Sequence, residues 1–408
     1  MNQDFKQSLQ STSAQQLQLP EPGQDAIQHS KQLIEHIRHS IELHKGFLPF
    51  DEYMEQVLYA PGLGYYSAGS RKLGKDGDFI TAPEISSLFS CCLANAIQPV
   101  VEPNINSTID QAAAVLEVGA GSGKMAADIL LQLEKNNCLP ERYFILERSA
   151  DLRERQQQTI QQQCPHLIGG ITWLDDFPER FNGIVIANEL LDALPVHRVI
   201  KRHGQWQELG VQWNEQFSYA SCELVQPRLQ QRLQVIEAEQ GELAEGYTTE
   251  INLAAEDWIH SIASRIDSGF ILLVDYGYSQ HEYYHAQRQQ GTLMCHYRHR
   301  AHDDPFVYPG LQDITAHVDF TAMADAALDS GLKVRGYTAQ ALFLMDTGLN
   351  ELAEAMDGND AEQQLKLATE IRRLTLPQEM GESFKVLLLS KNTDDMLPGF
   401  SMDMRDRL

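Results

Sequence analysis

The sequence is poor in paired cysteines, in positive charge and in long apolar runs. Its six cysteines, Cys91, Cys92, Cys138, Cys164, Cys222 and Cys295, form no C-x-x-C pair. Neither a zinc ribbon nor a disulfide framework is indicated, and reduced thiols in a cytosol-like compartment fit the pattern. Lys and Arg number 32 against 57 Asp and Glu, a formal charge of −25. A surface of that sign repels nucleic acid and anionic membrane and tolerates a basic substrate. No stretch is long and apolar enough to span a bilayer, so no membrane insertion is expected. The Gln- and Ser-rich start carries no arginine before Arg38. It lacks the apolar core of a signal peptide and the basic face of a transit peptide, which leads to the expectation of a cytoplasmic protein.

With 408 residues, 43% of them hydrophobic, the chain can bury a large core, as two domains or one decorated domain. Its most informative stretch runs from Val115 to Leu133. Val115, Leu116 and Val118 suit a buried parallel strand, and Met125, Ile129 and Leu133 recur at helical spacing. Between them lie Gly119, Gly121 and Gly123, which allow a sharp turn and close approach of a ligand. A P-loop would need a glycine at Val118 and a hydroxyl at Met125. A dinucleotide fingerprint would need its third glycine at Lys124. What stands here is E-x-G-x-G-x-G, Glu117 to Gly123, which resembles the first motif of class I S-adenosyl-L-methionine (SAM) methyltransferases. On the loop alone, an ordinary glycine-rich turn stays open.

From Val115 onward strands and helices alternate, as in an α/β fold with a mostly parallel sheet. Strands are expected at 115–118, 143–146, 171–173, 183–187, 270–274, 333–337 and 384–389. A glycine follows the first, Gly119, and polar residues follow the next four: Glu147, Asp175 with Asp176, Asn188-Glu189, and Asp275. In a parallel sheet these positions converge on one edge. Glu147 lies where an acid pairing ribose hydroxyls belongs, and Asp175 or Asp176 would stand near an adenine. Each acid alone is more often a helix cap or a solvated loop residue, and it is their joint placement that favours a nucleoside site.

The expected organisation is a flexible polar tail over 1–24 and a helical cap region over 25–110. A nucleoside-binding domain then covers 111–391, with insertions at about 197–260 and 278–318, and a tail covers 392–408. Thr81 is expected to cap one helix running to about Ile97, with Pro83 in its first turn and Glu84 after it. Arg198 to Trp213 reads as a hairpin turning at His203-Gly204. If Asn188 to Asp192 starts a helix, Glu189 and Asp192 share a face and could grip a guanidinium. They could equally be acids favouring a helix dipole. His296, His299 and His302 read as a polar surface loop, and no metal is expected. Asp313 to Phe320 is expected to open a helix, with His317 and Asp319 capable of facing the cleft.

An ordered set of motifs then resembles the MidA-like methyltransferases, a family that includes the mitochondrial complex I assembly-factor arginine methyltransferase. The set comprises Tyr53-Met54, Leu58 to Pro61, Gly64 to Tyr66, Gly77-Asp-Phe79 and Thr81 to Ser86. It continues with Glu117 to Lys124, Tyr143 to Ser149, Ala187 to Pro195, Asp275 to Gly277, Gly291 to Leu293 and Asp313 to Phe320. The resemblance implies a Rossmann-like class I fold with a seven-stranded sheet, SAM as cofactor, and methylation of a protein arginine. In the mitochondrial members the implied target is an NADH dehydrogenase subunit. Thr81, Pro83 and Glu84 join Glu117, Gly119, Gly121, Gly123, Glu147, Asp175, Asp176 and Asn188 as expected cofactor residues. Asn188, Glu189, Asp192, His317 and Asp319 are the expected catalytic set. The expected partner is a basic or arginine-bearing protein segment, and a homodimer is compatible with the reading. A SAM-binding assembly factor without turnover, or methylation of a small molecule, are the alternatives.

Overall fold

The protein is described from a computed structural model, which covers residues 17, 19–67, 81–102, 113–356 and 360–408. The Gly77-Asp-Phe79 match and most of the expected N-terminal tail lie outside the described residues. The chain divides into two compact units. The first comprises Met1–Phe79, Asp192–Ala255 and Gln280–His317; the second comprises Ile80–Leu191, Glu256–Ser279 and Val318–Leu408. The expected cap region over 25–110 is therefore cut in two. Its first half groups with the insertions, because their apolar faces share one core.

The second unit holds the sheet. Its strands are β1 (Ala114–Val118), β2 (Tyr143–Leu146), β3 (Ile171–Leu174), β4 (Phe181–Asn188), β5 (Ile266–Tyr278), β6 (Lys333–Ala339) and β7 (Phe384–Lys391). They lie in the order β6-β7-β5-β4-β1-β2-β3, with the two-residue strand Val318–Asp319 beside β5 making eight. Strands β5, β4, β1, β2 and β3 are mutually parallel, and β7 runs antiparallel to both β5 and β6. This is the expected Rossmann-like mixed sheet with one short strand added. Continuous apolar runs such as Ile184-Val-Ile186 form strands here because helices cover both faces of a parallel sheet.

Helices α1 (Ala82–Ile85), α2 (Ser87–Val101), α3 (Lys124–Lys135), α4 (Ala150–Gln163) and α5 (Phe320–Asp329) belong to the same unit. Met125, Ile129 and Leu133 of α3 join one core with Val115, Ile184 and Leu272. Three expectations are corrected. The single helix from Thr81 is two, because Ser86 is extended (φ −155°, ψ 140°) and its hydroxyl accepts from the Leu88 N–H. Asp313 to Asp319 is strand rather than helix, paired as Asp313–Thr315 and Val318–Asp319. The expected tail over 392–408 packs instead: Leu397 and Phe400 are buried in the core, and the Met404 N–H donates to the Tyr337 carbonyl.

The first unit is built from segments far apart in sequence. Helices Gln24–Leu43 and Phe50–Tyr59 share a core with an antiparallel sheet of His197–Arg202, Gln205–Asn214, Gln216–Glu223, Thr248–Ile251 and Leu48–Pro49. His203 and Gly204 both have positive φ (54° and 71°), the geometry a two-residue hairpin turn needs. The three-histidine stretch is also a hairpin, Met294–Tyr297 with Arg300–His302, rather than an open loop.

Candidate active site

The register of the parallel strands sets the site. Val118 pairs with Leu146 and Ala187, and Leu146 pairs with Leu174. The residues that follow (Gly119, Glu147, Asp175 and the Asn188-Glu189 step) therefore stand along one edge of the sheet, as expected.

Gly119, Gly121 and Gly123 have φ of 70°, 53° and 82°, all left-handed. Only glycine adopts three such conformations in so short a span without strain. Gly123 is doubly constrained, since a Cβ there would lie 2.8 Å from the Gln156 Cα. Lys124 then opens α3, and its N–H donates to the Ser122 hydroxyl at 3.3 Å, so the loop itself caps the helix start.

Glu117, on β1, has no exposed surface. Its Oε2 accepts from the Tyr143 hydroxyl at 2.6 Å, while its Oε1 has no hydrogen-bond partner among the described residues. Burial, opposed only by that hydrogen bond, pushes its carboxyl up to about 7. Asn188, the last residue of β4, likewise has a buried Oδ1 without a partner among the described residues. Two such orphaned acceptors at the loop edge await donors. An ammonium and hydroxyls are what SAM would bring, so the residues present fit that cofactor.

Glu147 is fixed from two sides. Its Oε1 accepts from the Ser149 N–H at 2.9 Å and its Oε2 from the Gln156 amide at 3.0 Å. Burial raises its pKa, and these hydrogen bonds oppose the rise. Gln156 was not singled out in the sequence, where it sits in a run of glutamines. It is fully buried, and its amide also donates to the Gly121 carbonyl at 3.2 Å and accepts from the Trp173 indole at 2.9 Å. It thus ties the glycine loop, Glu147 and β3 together. Arg153 ties the strand ends in the same way, donating to the carbonyls of Glu147 and Leu174 and pairing with Asp175 at 2.8 Å.

The two aspartates after β3 differ from each other. The Asp175 side chain is 93% exposed at the sheet edge. The Asp176 carboxylate is turned onto its own loop. It accepts from the Phe177 N–H at 2.8 Å and pairs with Arg265 at 3.3 Å, which lower its pKa. The short helix α1 meets the loop through Glu84, whose carboxylate accepts from the Ser122 hydroxyl. Pro83 occupies the first turn of α1, and Thr81 caps it without a side-chain hydrogen bond.

The expected helix at Asn188 to Asp192 does not form. Glu189 has φ +49°, a left-handed conformation that costs a non-glycine residue about 1–3 kcal/mol and needs support. The support is visible. The Glu189 N–H donates to the Val274 carbonyl at 2.9 Å, and the Leu191 N–H donates to the buried Asp275 carboxylate at 2.9 Å. The Glu189 Oε1 accepts from the Ala82 N–H at 3.2 Å and the Asn188 amide at 3.3 Å. Glu189 and Asp192 therefore share no helix face, contrary to the expectation. Asp275 lies within β5 rather than after it.

Asp319 caps α5, accepting from the Ala322 N–H at 3.1 Å. In the first unit, the Asp192 carbonyl accepts from the Ala316 N–H, and the His317 N–H donates to the Thr292 hydroxyl at 3.2 Å. Tyr66 donates to the Asp313 carboxylate and stacks on Tyr59 at 5.4 Å in that unit.

A mixed sheet in this order, with the acid-flanked glycine turn after the inner strand β1, defines a class I SAM-dependent methyltransferase. The chain belongs to the MidA-like family: the profile of that S-adenosyl-L-methionine-dependent methyltransferase family matches residues 92–338. It is similar to the Drosophila melanogaster homologue of the mitochondrial protein arginine methyltransferase NDUFAF7, at 31% identity, covering 91% of this chain and 87% of that protein. The human protein of that name is 27% identical, over 88% of this chain and 83% of its own length. A crystal structure of a methyltransferase candidate from Burkholderia thailandensis, bound to S-adenosyl-homocysteine, superimposes with a TM-score of 0.89. It is 42% identical and covers 96% of this chain and all of that one. The protein is a SAM-dependent methyltransferase. The expected cytoplasmic location is withdrawn, because these curated relatives are named mitochondrial. Among the described residues, no helix is long and apolar enough to cross a membrane.

Proposed function

We propose that this enzyme methylates an arginine side chain of a protein client. The observation that carries the reading is Glu189, a carboxylate held in a strained backbone at the carboxyl end of β4, beside the glycine loop. The names of the curated relatives and the chain's net acidity support it.

Within the second unit, Gly119, Gly121, Gly123, Glu117 and Asn188 would hold the amino-acid end of SAM. Glu147, with Asp175 beside it, would hold its nucleoside end. Thr81, Pro83 and Glu84 would brace the loop from α1. The turned-in carboxylate of Asp176 argues for a loop-fixing role instead. SAM, when bound, supplies a methyl group on a sulfonium. A guanidinium stays protonated at neutral pH, so a carboxylate must orient it and concentrate its charge on one nitrogen. Glu189 is fixed by neighbouring N–H donors and can do so without reorganisation. Held in this way, one guanidinium nitrogen would accept the methyl group and release one proton to solvent. Asp192 and His317 belong to the first unit, and no step of the transfer is assigned to them. Asp319 is proposed as a positioning residue, since its carboxylate is engaged as a helix cap.

Incubation with methyl-labelled SAM and a protein extract, followed by acid hydrolysis, tests this. Label is expected in methylarginine. Label confined to small molecules would refute the protein client, and label in another amino acid would refute the arginine.

A further inference from the structure

Three side chains in the first unit converge without any role in methyl transfer. Asp51 lies in the first turn of helix Phe50–Tyr59, His197 begins one strand of the antiparallel sheet, and Glu208 lies on the next strand. Val199 pairs with Glu208, so Glu208 shares a sheet face with Val199 and hence with His197. The helix start brings Asp51 over that face. The His197 Nδ1 lies 3.2 Å from the Glu208 Oε1 and 3.3 Å from the Asp51 Oδ1. One donor atom from each residue lies within 4.8 Å of the others.

A plain histidine–carboxylate pair leaves this arrangement unbalanced. Nδ1 carries at most one proton, and its hydrogen bond goes to Glu208. The Asp51 Oδ1 is shut off from solvent and has no hydrogen-bond partner among the described residues. Two carboxylates with oxygens within 4.8 Å of each other, one of those oxygens shut off from solvent, are costly unless a cation or proton sits between them. Asp51 also lines a cleft of about 300 Å³ with Glu52, Glu55, Gln56 and Pro195, so acidic side chains surround that end of the cluster.

We propose that Asp51, His197 and Glu208 form a binding site for one divalent cation of the zinc class. One imidazole nitrogen and two carboxylate oxygens suit a tetrahedral Zn²⁺ with water as fourth ligand. The observed nitrogen–oxygen spacings match ligand edges around an ion with bonds of roughly 2.0–2.2 Å. Two carboxylates and a neutral imidazole balance the ion's charge. The site is distinct from the glycine-loop edge, and its role would be to clip the helix start to the sheet. The sequence expectation of no metal weighed only the three-histidine stretch and the missing C-x-x-C pairs. These ligands, scattered along the chain, present no spacing motif.

The test uses the full chain, stripped with chelator and desalted, then titrated with Zn²⁺ while bound metal and melting temperature are read. One ion per chain and a rise in melting temperature are expected. Glu208→Gln and Asp51→Asn should each weaken binding by at least about tenfold, the loss typical of even an outer-shell change. Circular dichroism of each metal-free variant confirms that it has folded. Asp51, at a partly exposed helix start, is the variant least dependent on core packing. The proposal is overturned if no stoichiometric ion binds. It is also overturned if Asp51→Asn and Glu208→Gln together leave the affinity unchanged, or if Asp51→Asn alone stabilises a metal-free protein that binds nothing.

Discussion

Glu117 has no exposed surface, and one of its oxygens accepts no hydrogen bond among the described residues. With its folded pKa pushed up to about 7, it keeps a proton that the unfolded chain releases near its ordinary value of about 4.3. Between those pH values the folded state binds more protons, so stability falls as pH rises. The contribution is fully present below about pH 4.3 and is lost as pH passes about 7, on the order of 3 kcal/mol in the ligand-free protein. Glu117→Gln mimics the protonated carboxyl. It is expected to flatten this part of the stability profile and to be the more stable form at about pH 8. Urea melts of both proteins at about pH 5 and pH 8 check it; parallel profiles would contradict the assignment. Gln156 offers a second test at this scale. Gln156→Ala removes donors to the Gly121 carbonyl and to Glu147, and the acceptor for Trp173. Calorimetry should show SAM affinity falling by about tenfold, roughly the value of one or two hydrogen bonds.

At the scale of elements, the strand–turn–helix from β1 to α3 concentrates its constraint at Gly123. Gly123→Ala meets both a positive φ and the Gln156 backbone, so it should cost at least about 1–3 kcal/mol and abolish measurable SAM binding. Gly204→Ala has a positive φ but nothing within 4 Å of the added Cβ. It should lose stability of about the lower figure and leave SAM binding intact. Denaturant midpoints and calorimetry on the pair separate the two effects. The same elements show why part of the fold was legible. Ile184-Val-Ile186 of β4 and Val386-Leu-Leu-Leu389 of β7 are unbroken apolar runs, and the glycine spacing sits between two of the clearest segments. Asp313 to Asp319 misled, because its few apolar residues satisfy helical spacing as well as pairing with Met294–Tyr297 and β5. Glu189 misled for a different reason. Its left-handed backbone is imposed by Val274, Ala82 and Asp275, partners distant in sequence that no local pattern announces. Gln156 was hidden because polarity alone does not reveal that one glutamine of a run faces inward.

At the scale of the whole molecule, the first unit was the least legible part. It assembles residues near 33–59, 196–217 and 293–316 into one core, and such long-range closure leaves no periodic signal. A net charge of −25 also acts at this scale. It favours encounter with a cationic client, and the advantage is screened over about 8 Å at physiological salt. The central claim is that the second unit holds SAM and that Glu189 drives transfer to an arginine. The most direct measurement combines SAM affinity by calorimetry with the single-turnover rate of methylarginine formation, in the wild type and in Glu189→Gln. The account predicts an affinity within about threefold of wild type and a rate lowered by at least about a hundredfold, the loss expected of a preorganised electrostatic group. An unchanged rate, or a loss of SAM affinity large enough to explain the lost turnover, would contradict it.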